Sequence, residues 1–90
     1  MTEVEELVDV AILDQLVDFK SLVVFNDHVN TFDYVIDSLI KVCEHQPLQA
    51  EQCTMIIHYK GKCQVKKGQT EDMVAMCTQL LDLGITAEVQ

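Results

Sequence analysis

The stretch from Leu22 to Ile36 constrains the fold more than any other part of the sequence, because its hydrophobic period changes within a few residues. It begins with the apolar, β-branched run Leu22–Phe25, which is typical of a strand. The polar turn Asn26–Asn30 follows, and a helical spacing starts directly after it. Asn30 is the predicted N-cap of that helix, and Asp33 stands where a capping-box carboxylate would reach back. The stretch therefore predicts a strand and a helix joined by a loop that carries an amide, a carboxylate and an imidazole.

The remaining apolar spacing predicts two further helices and two short strands. The first helix carries its apolar stripe from Phe32 to Cys43, and a second helix runs from Pro47 to about Tyr59. Proline suits the first turn of a helix, and Gly61 is a natural left-handed C-cap. Alternation over Lys62–Lys66 predicts the second strand, with Gly68 marking the turn after it.

The third predicted helix ends near Gly84, which would cap it. One face of this helix carries Met73, Met76, Cys77 and Leu80. Ile85–Val89 alternates again and predicts the last strand. Three short strands cannot bury both faces of a sheet, so the helices should cover one side. The sequence thus predicts an α+β fold of order β-α-α-β-α-β, a small sandwich whose three-stranded antiparallel sheet is covered by helices.

An acidic segment precedes this pattern. Met1 to Lys20 holds six acidic residues and no basic residue before Lys20. Its apolar positions fit a helical stripe: Val4, Leu7, Val8, Ala11, Ile12, Leu16 and Phe19. The segment could be a helix packed on the domain or an arm that becomes ordered with a partner. We divide the chain into an acidic extension, residues 1–21, and a core domain, residues 22–90.

Composition excludes several classes of protein. A formal net charge of −9 argues against a role dominated by nucleic-acid phosphates. No apolar run is long enough to span a bilayer, and the acidic N-terminus is unlike a secretory signal, so we expect a cytoplasmic protein. Lys60, Lys62, Lys66 and Lys67 form a basic cluster. It is either a solvated edge or a local acid-binding patch.

The cysteines predict free thiols rather than disulfides. Their positions are evenly spread and contain no Cys-x-x-Cys pair: Cys43, Cys53, Cys63 and Cys77. Cys53, His58 and Cys63, with Cys43 and His45 nearby, suggest zinc, but the paired ligands of structural zinc sites are missing. We therefore predict neither a metal nor another cofactor.

Two motifs resemble one known family. Phe25–Val35 is similar to the Asn-Asp loop and first helix of the ClpS adaptor family, and Met55–Lys62 to its apolar-His-x-x-Gly-Lys segment. ClpS proteins bind the N-terminal residue of substrates and hand them to a Clp AAA+ unfoldase for proteolysis. The resemblance implies a non-enzymatic, monomeric adaptor whose partner is the N-terminal domain of a ClpA- or ClpC-type unfoldase. It also implies that the segment before the core serves substrate delivery.

The resemblance assigns a binding site residue by residue. It implies that Asn26, Asp27 and His58 hold the free α-amino group of the substrate. The pocket for the first side chain, which should be large and apolar or aromatic, corresponds to Asn30, Phe32, Val35, Thr54, Ile57 and, from the C-terminal strand, Ile85. Phe32 and Thr54 stand where many members carry Met, and His28 where many carry an acid.

Two other classes of protein remain open at this level. One is a ribosomal-stalk-like or other small α+β interaction module without an amine site. The other is a redox- or zinc-responsive protein that uses the four thiols.

Overall fold

A computed structural model of the chain describes residues 18–90, and residues 1–17 lie outside the description. Three strands and three helices follow one another in the described part. Their bounds are β1 Phe19–Phe25, α1 Phe32–Cys43, α2 Pro47–Lys60, β2 Lys62–Gln69, α3 Thr70–Asp82 and β3 Ala87–Val89. The predicted order of elements, β-α-α-β-α-β, is confirmed.

The three strands form one antiparallel sheet with β1 in the centre. The strand order is β2-β1-β3, and β1 pairs with β2 from Phe19 opposite Gln69 to Phe25 opposite Lys62. β3 pairs with the other side of β1, with Ala87 opposite Val24. The α+β architecture with a three-stranded antiparallel sheet is thus as predicted.

β1 begins earlier than the apolar run suggests. Phe19, the last residue of the helical stripe predicted for the acidic segment, lies in the strand opposite Gln69, and Lys20 follows it opposite Gly68. Cross-strand pairing outweighs the local pattern here. The other residues of that stripe lie outside the described part of the chain, and the domain boundary after residue 21 stays a prediction.

β2 also runs further than predicted. Gly68 is not in a turn but in the strand, and α3 starts two residues later at Thr70. A Cβ at Gly68 would stand 3.3 Å from Cε of Met73, so the missing side chain lets the start of α3 pack closely. At the other end of α3, Ile85 precedes the last strand instead of belonging to it.

The core lies between the sheet and the helices. Its fully buried side chains include Leu22, Leu39, Met73, Leu80 and Ile85. Burying a side chain of this size contributes roughly 1.5–3 kcal/mol. The core therefore holds β1 and the three helices together, and it fixes the loop between β1 and α1.

Two further properties concern residues 18–90 only. No helix among them is long and apolar enough to cross a membrane. No three His, Cys, Asp or Glu side chains among them are grouped so that they could hold a metal ion.

Candidate functional site

A cleft of about 350 Å³ opens between the loop after β1, the start of α1 and the end of α2. Its lining consists of Asn26, Asp27, His28, Asn30, Thr31, Phe32, Val35, Thr54, Ile57 and His58. The fold therefore brings together every predicted site residue except one. Ile85 does not line the cleft, because its side chain is 1% exposed and belongs to the core.

Asp27 organises the loop that forms one wall of the cleft. Its Oδ1 accepts hydrogen bonds from the backbone N–H groups of Val29 (2.9 Å) and Asn30 (2.8 Å). Its Oδ2 accepts a third from Nδ2 of Asn30 (2.7 Å). The backbone hydrogen bond from Asn30 is the largest cause that lowers the pKa of Asp27, and the side chain of Asn30 and the N–H of Val29 lower it further. Asp27 is therefore an anion at neutral pH.

Asn30 connects this loop to the turn after α3. Its Nδ2 donates to the carbonyl of Gly84 (2.9 Å) as well as to Asp27, and the hydroxyl of Tyr34 donates to the carbonyl of Leu83 (2.6 Å). Asn30 is consequently not the N-cap of α1, contrary to the prediction. Thr31 takes that place, since its side chain accepts a hydrogen bond from the N–H of Tyr34 (3.1 Å).

A backbone hydrogen bond joins the other end of the loop to α2. The N–H of Asn26 donates to the carbonyl of Gly61 (2.8 Å), the left-handed C-cap residue of α2. This bond holds Asn26 beside the last turn of α2, which carries His58. The imidazole of His58 meets the ring of Phe32 edge-on, with 5.6 Å between centroids, and that of Tyr59 at 5.1 Å.

The inner wall of the cleft is mainly apolar. Val35 from α1 and Ile57 from α2 face it, together with the ring of Phe32, which is 36% exposed. Thr54 is buried beside them, and its hydroxyl donates to the carbonyl of Ala50 one turn earlier (2.7 Å). The cleft thus combines a carboxylate, amides and an imidazole with an apolar wall.

Two cleft residues were not among the predicted site residues. His28 is exposed on the loop, next to Asp27, and Thr31 stands directly before α1. Thr31 carried a signal, because a residue of the N-cap type is expected directly before an apolar helical stripe, but the neighbouring Asn30 carries the same signal. The only sequence signal for His28 is its position directly after Asn26 and Asp27.

None of the four cysteines lines the cleft. Burial raises the pKa of Cys43 to about 11, and burial followed by the neighbouring Cys53 thiol raises that of Cys63 to about 11. These thiols are protonated at neutral pH and are therefore poor nucleophiles. His45 is buried apart from His58, with Nε2 at 2.7 Å from the carbonyl of Val65.

Fold and cleft together define a small α+β domain that carries a mixed polar and apolar cleft. The family model for the ATP-dependent Clp protease adaptor protein ClpS matches residues 19–88. The chain therefore belongs to the ClpS family, a family of adaptors rather than of enzymes. No curated protein matches the chain in a sequence search.

A solved structure supports the same fold. The structure of Agrobacterium tumefaciens ClpS2 bound to L-phenylalaninamide superposes with a TM-score of 0.73 at 18% sequence identity. The alignment covers 80% of this chain and 96% of ClpS2. At this identity the similarity establishes the shared fold.

Proposed function

We propose that this chain is an adaptor for N-terminal degradation signals. It binds the free α-amino group and the large hydrophobic or aromatic first side chain of a substrate protein, and it delivers that protein to a Clp AAA+ unfoldase. The observation that carries this proposal is the cleft in which an ionised Asp27 stands beside an apolar wall.

The polar end of the cleft suits an ammonium group. An ammonium has only hydrogen-bond donors, so it requires acceptors and favours a negative charge. Asp27 supplies both, and we assign Asn26 and His58 as the further acceptors. The backbone hydrogen bond from Asn26 to Gly61 supports this assignment, because it keeps the start of the loop close to the end of α2, which carries His58.

The apolar end suits one large side chain. A volume of about 350 Å³ lies at the lower end of the range of roughly 300–1,000 Å³ for small-ligand sites, so a single amino-acid residue is an appropriate occupant. We assign Phe32, Val35, Thr54 and Ile57 to its contacts, with Asn30 at the rim. L-phenylalaninamide, the ligand bound to Agrobacterium tumefaciens ClpS2, has a free amino group next to an aromatic side chain and is a ligand of this kind.

Both ends must contribute to binding. Burying a Leu or Phe side chain contributes roughly 1.5–3 kcal/mol, whereas micromolar affinity requires about −8 kcal/mol after the costs of association. The side chain alone falls short. Hydrogen bonds to a charged group, each worth about 1.5–3 kcal/mol, must supply much of the remainder.

The direct test is a calorimetric titration with peptides that begin with Phe, with and without N-terminal acetylation. We expect saturable binding of the free peptide and a loss of at least tenfold on acetylation. Equal binding of both peptides would show that the cleft does not recognise an amine, and would favour a different kind of interaction module.

The proposed partner is the N-terminal domain of a ClpA- or ClpC-type unfoldase, and we propose that the adaptor acts as a monomer in the cytoplasm. Family membership supports the link to the Clp protease. Sedimentation of the adaptor with and without such an isolated N-terminal domain tests the partner and the monomeric state. A 1:1 complex is expected, and an adaptor that sediments alone in both samples would contradict the proposed partner.

A further inference from the structure

The four lysines of the basic cluster do not stay together in the fold. Lys66 is engaged within the protein, because its ammonium group donates to the carbonyl of Cys43 (2.9 Å). Lys67 lies in the half of β2 that is farther from the cleft. The other two, Lys60 and Lys62, are exposed at the point where α2 ends and β2 begins.

Lys60 and Lys62 stand beside the proposed amine site. They flank Gly61 in the sequence, and the carbonyl of Gly61 accepts the 2.8 Å hydrogen bond from the N–H of Asn26. Since neighbouring Cα atoms are about 3.8 Å apart, the Cα atoms of both lysines lie within about 10 Å of this nitrogen. The flexible four-carbon side chain of a lysine lets its ammonium group turn toward a ligand bound there.

Within residues 18–90 no carboxylate forms an ion pair with either lysine. The ion pair that those residues contain joins Lys20 to Asp18 (3.6 Å). Asp33, in the first turn of α1, is exposed and does not line the cleft. The ammonium group of a ligand would neutralise Asp27, so the charge left around an occupied amine site would be that of the neighbouring basic side chains.

His28 adds a third basic group at this site. It is exposed and lines the cleft directly after Asp27. The backbone hydrogen bond from Asn30 lowers the pKa of Asp27 most, and the charge of His28 lowers it further, so the imidazole stands close to the carboxylate. An imidazole carries an N–H donor in either protonation state. We call His28, Lys60 and Lys62 the basic rim.

The second residue of a substrate would have to pass this rim. The amine nitrogen and the carbonyl carbon of the first residue are bonded to the same Cα, so a substrate that is held by its amine continues from the amine site. The Cα of the second residue lies only about 3.8 Å from that of the first. Because the first side chain would fill the apolar end of the cleft, the next two residues would lie near the rim.

We propose that the basic rim selects substrates whose second and third residues are acidic. The inference rests on the proposed function, since it requires a substrate held by its amine. Opposite charges that face each other across an interface favour the matching partner, and like charges disfavour the wrong one. One exposed ion pair changes affinity by about 1.4- to 5-fold, so two acidic side chains should give a measurable preference.

Calorimetric titration of the full chain with three amidated peptides tests the inference. The peptides begin with Phe-Glu-Glu, Phe-Gln-Gln or Phe-Lys-Lys and continue with one shared neutral sequence. We expect the Glu peptide to bind at least threefold more tightly than the Gln peptide, and the Lys peptide to bind at least threefold more weakly. Added salt should bring both ratios closer to one, because it screens exposed charges.

Variants of the rim locate the effect. Lys60→Gln with Lys62→Gln should lower the ratio of affinities between the Glu and Lys peptides by at least threefold, and His28→Asp should lower it as well. The matched control, Lys41→Gln with Lys67→Gln, removes the same charge from two exposed lysines elsewhere and should leave the ratio within about twofold. A ratio of two peptides on one protein cancels any change that affects both peptides equally.

The outcomes separate this inference from the proposed function. Three peptides that bind equally, and that all lose affinity on acetylation, would overturn the inference and leave the proposed function intact. A ratio that the control variant lowers as much as the rim variant would reveal an effect of net charge and would overturn it too. If the rim variants fail to fold, the salt dependence in the unmodified chain decides, since a ratio that salt does not change would overturn the inference. Free and acetylated peptides that bind equally would overturn both the proposed function and the inference.

Discussion

Replacing Asp27 by Asn separates the charge of the proposed amine site from the structure of its loop. The asparagine side chain keeps an oxygen that can accept from the N–H groups of Val29 and Asn30, as Oδ1 of Asp27 does. It removes the negative charge and the acceptor that bonds Nδ2 of Asn30 at 2.7 Å. The loop therefore keeps its two backbone contacts, whereas the ammonium loses its ionised partner.

The magnitude follows from the type of hydrogen bond that is lost. A bond to a charged group is worth about 1.5–3 kcal/mol, and about 1.4 kcal/mol corresponds to a tenfold change in affinity. Asp27→Asn should therefore weaken a Phe-initiated peptide by roughly 10- to 150-fold. Asp27→Ala should weaken it further, because it also removes both backbone contacts of the loop.

Calorimetric titrations of two proteins with two peptides complete the test. Acetylation of the peptide should cost the wild-type chain at least as much as Asp27→Asn does. In the Asp27→Asn chain, acetylation should cost much less, since groups that act on one interaction are not additive. Additive losses would mean that Asp27 does not contact the amine and that the assignment is wrong.

Three further predictions concern pH, the acidic segment and the core. Affinity for a free-amine peptide should fall about tenfold per pH unit above an amine pKa of about 7.7–8.0, whereas the acetylated peptide should show no such fall in titrations from pH 7 to 10. Asp27 does not titrate in this range, because its pKa is lowered from 3.8. The contribution of its negative charge to stability and binding is present above that value and is lost only as the pH falls through the lowered pKa. Deleting residues 1–17 should leave peptide affinity within about twofold but impair degradation of a bound substrate by the Clp protease, and a collapse of peptide affinity would instead make the segment part of the site. Leu80→Ala should lower the free energy of unfolding by about 2–5 kcal/mol in denaturant titrations, because Leu80 is 0% exposed, and a loss below about 1 kcal/mol would contradict its place in the core.

Periodicity and local signals together were sufficient to predict the order of elements, because α1 and α3 each carry an apolar stripe on one face and α2 is bounded by Pro47 and Gly61. α1 and α2 were predicted with nearly the observed bounds. For α2 this succeeded because the backbone conformations of Pro47 and Gly61 mark its start and its end. Gly61 has φ of +93°, a conformation that favours glycine. Such signals are local, so a single sequence carries them.

The second half of β2 was missed because a bulge changes the phase of its alternation. The register with β1 shifts between Leu22 and Val23, and Val65 is the extra residue on β2. Up to and including the bulge residue Val65, the less exposed side chains of β2 are Cys63 and Val65. After the bulge, the less exposed residues are Lys66 and Gly68. A pattern of period two cannot be followed across such a shift.

Most residues that line the cleft were named from the sequence, but the hydrogen bonds among them were not. Asn30 and Thr31 are both good N-cap residues, and the local sequence does not decide between them. Which of the two caps α1 depends on Gly84, 54 positions away from Asn30, because the carbonyl of Gly84 accepts a hydrogen bond from Nδ2 of Asn30. Ile85 was assigned to the pocket through the family resemblance alone; its side chain is buried in the core, and it is the carbonyl of the preceding Gly84 that contacts the loop.

The hydrogen bonds of the loop order it before any ligand arrives, which favours the binding that we propose. Asn26 is tied to the end of α2 through Gly61, and Asn30 is tied to the turn after α3 through Gly84. Both helices are anchored by the buried core, so the carboxylate of Asp27 is held in place before a ligand arrives. A loop that is already ordered loses little conformational entropy on binding, and more of the energy of each contact then appears as affinity. The rigidity of the site thus comes in part from two backbone carbonyls, those of Gly61 and Gly84, whose residues do not themselves line the cleft.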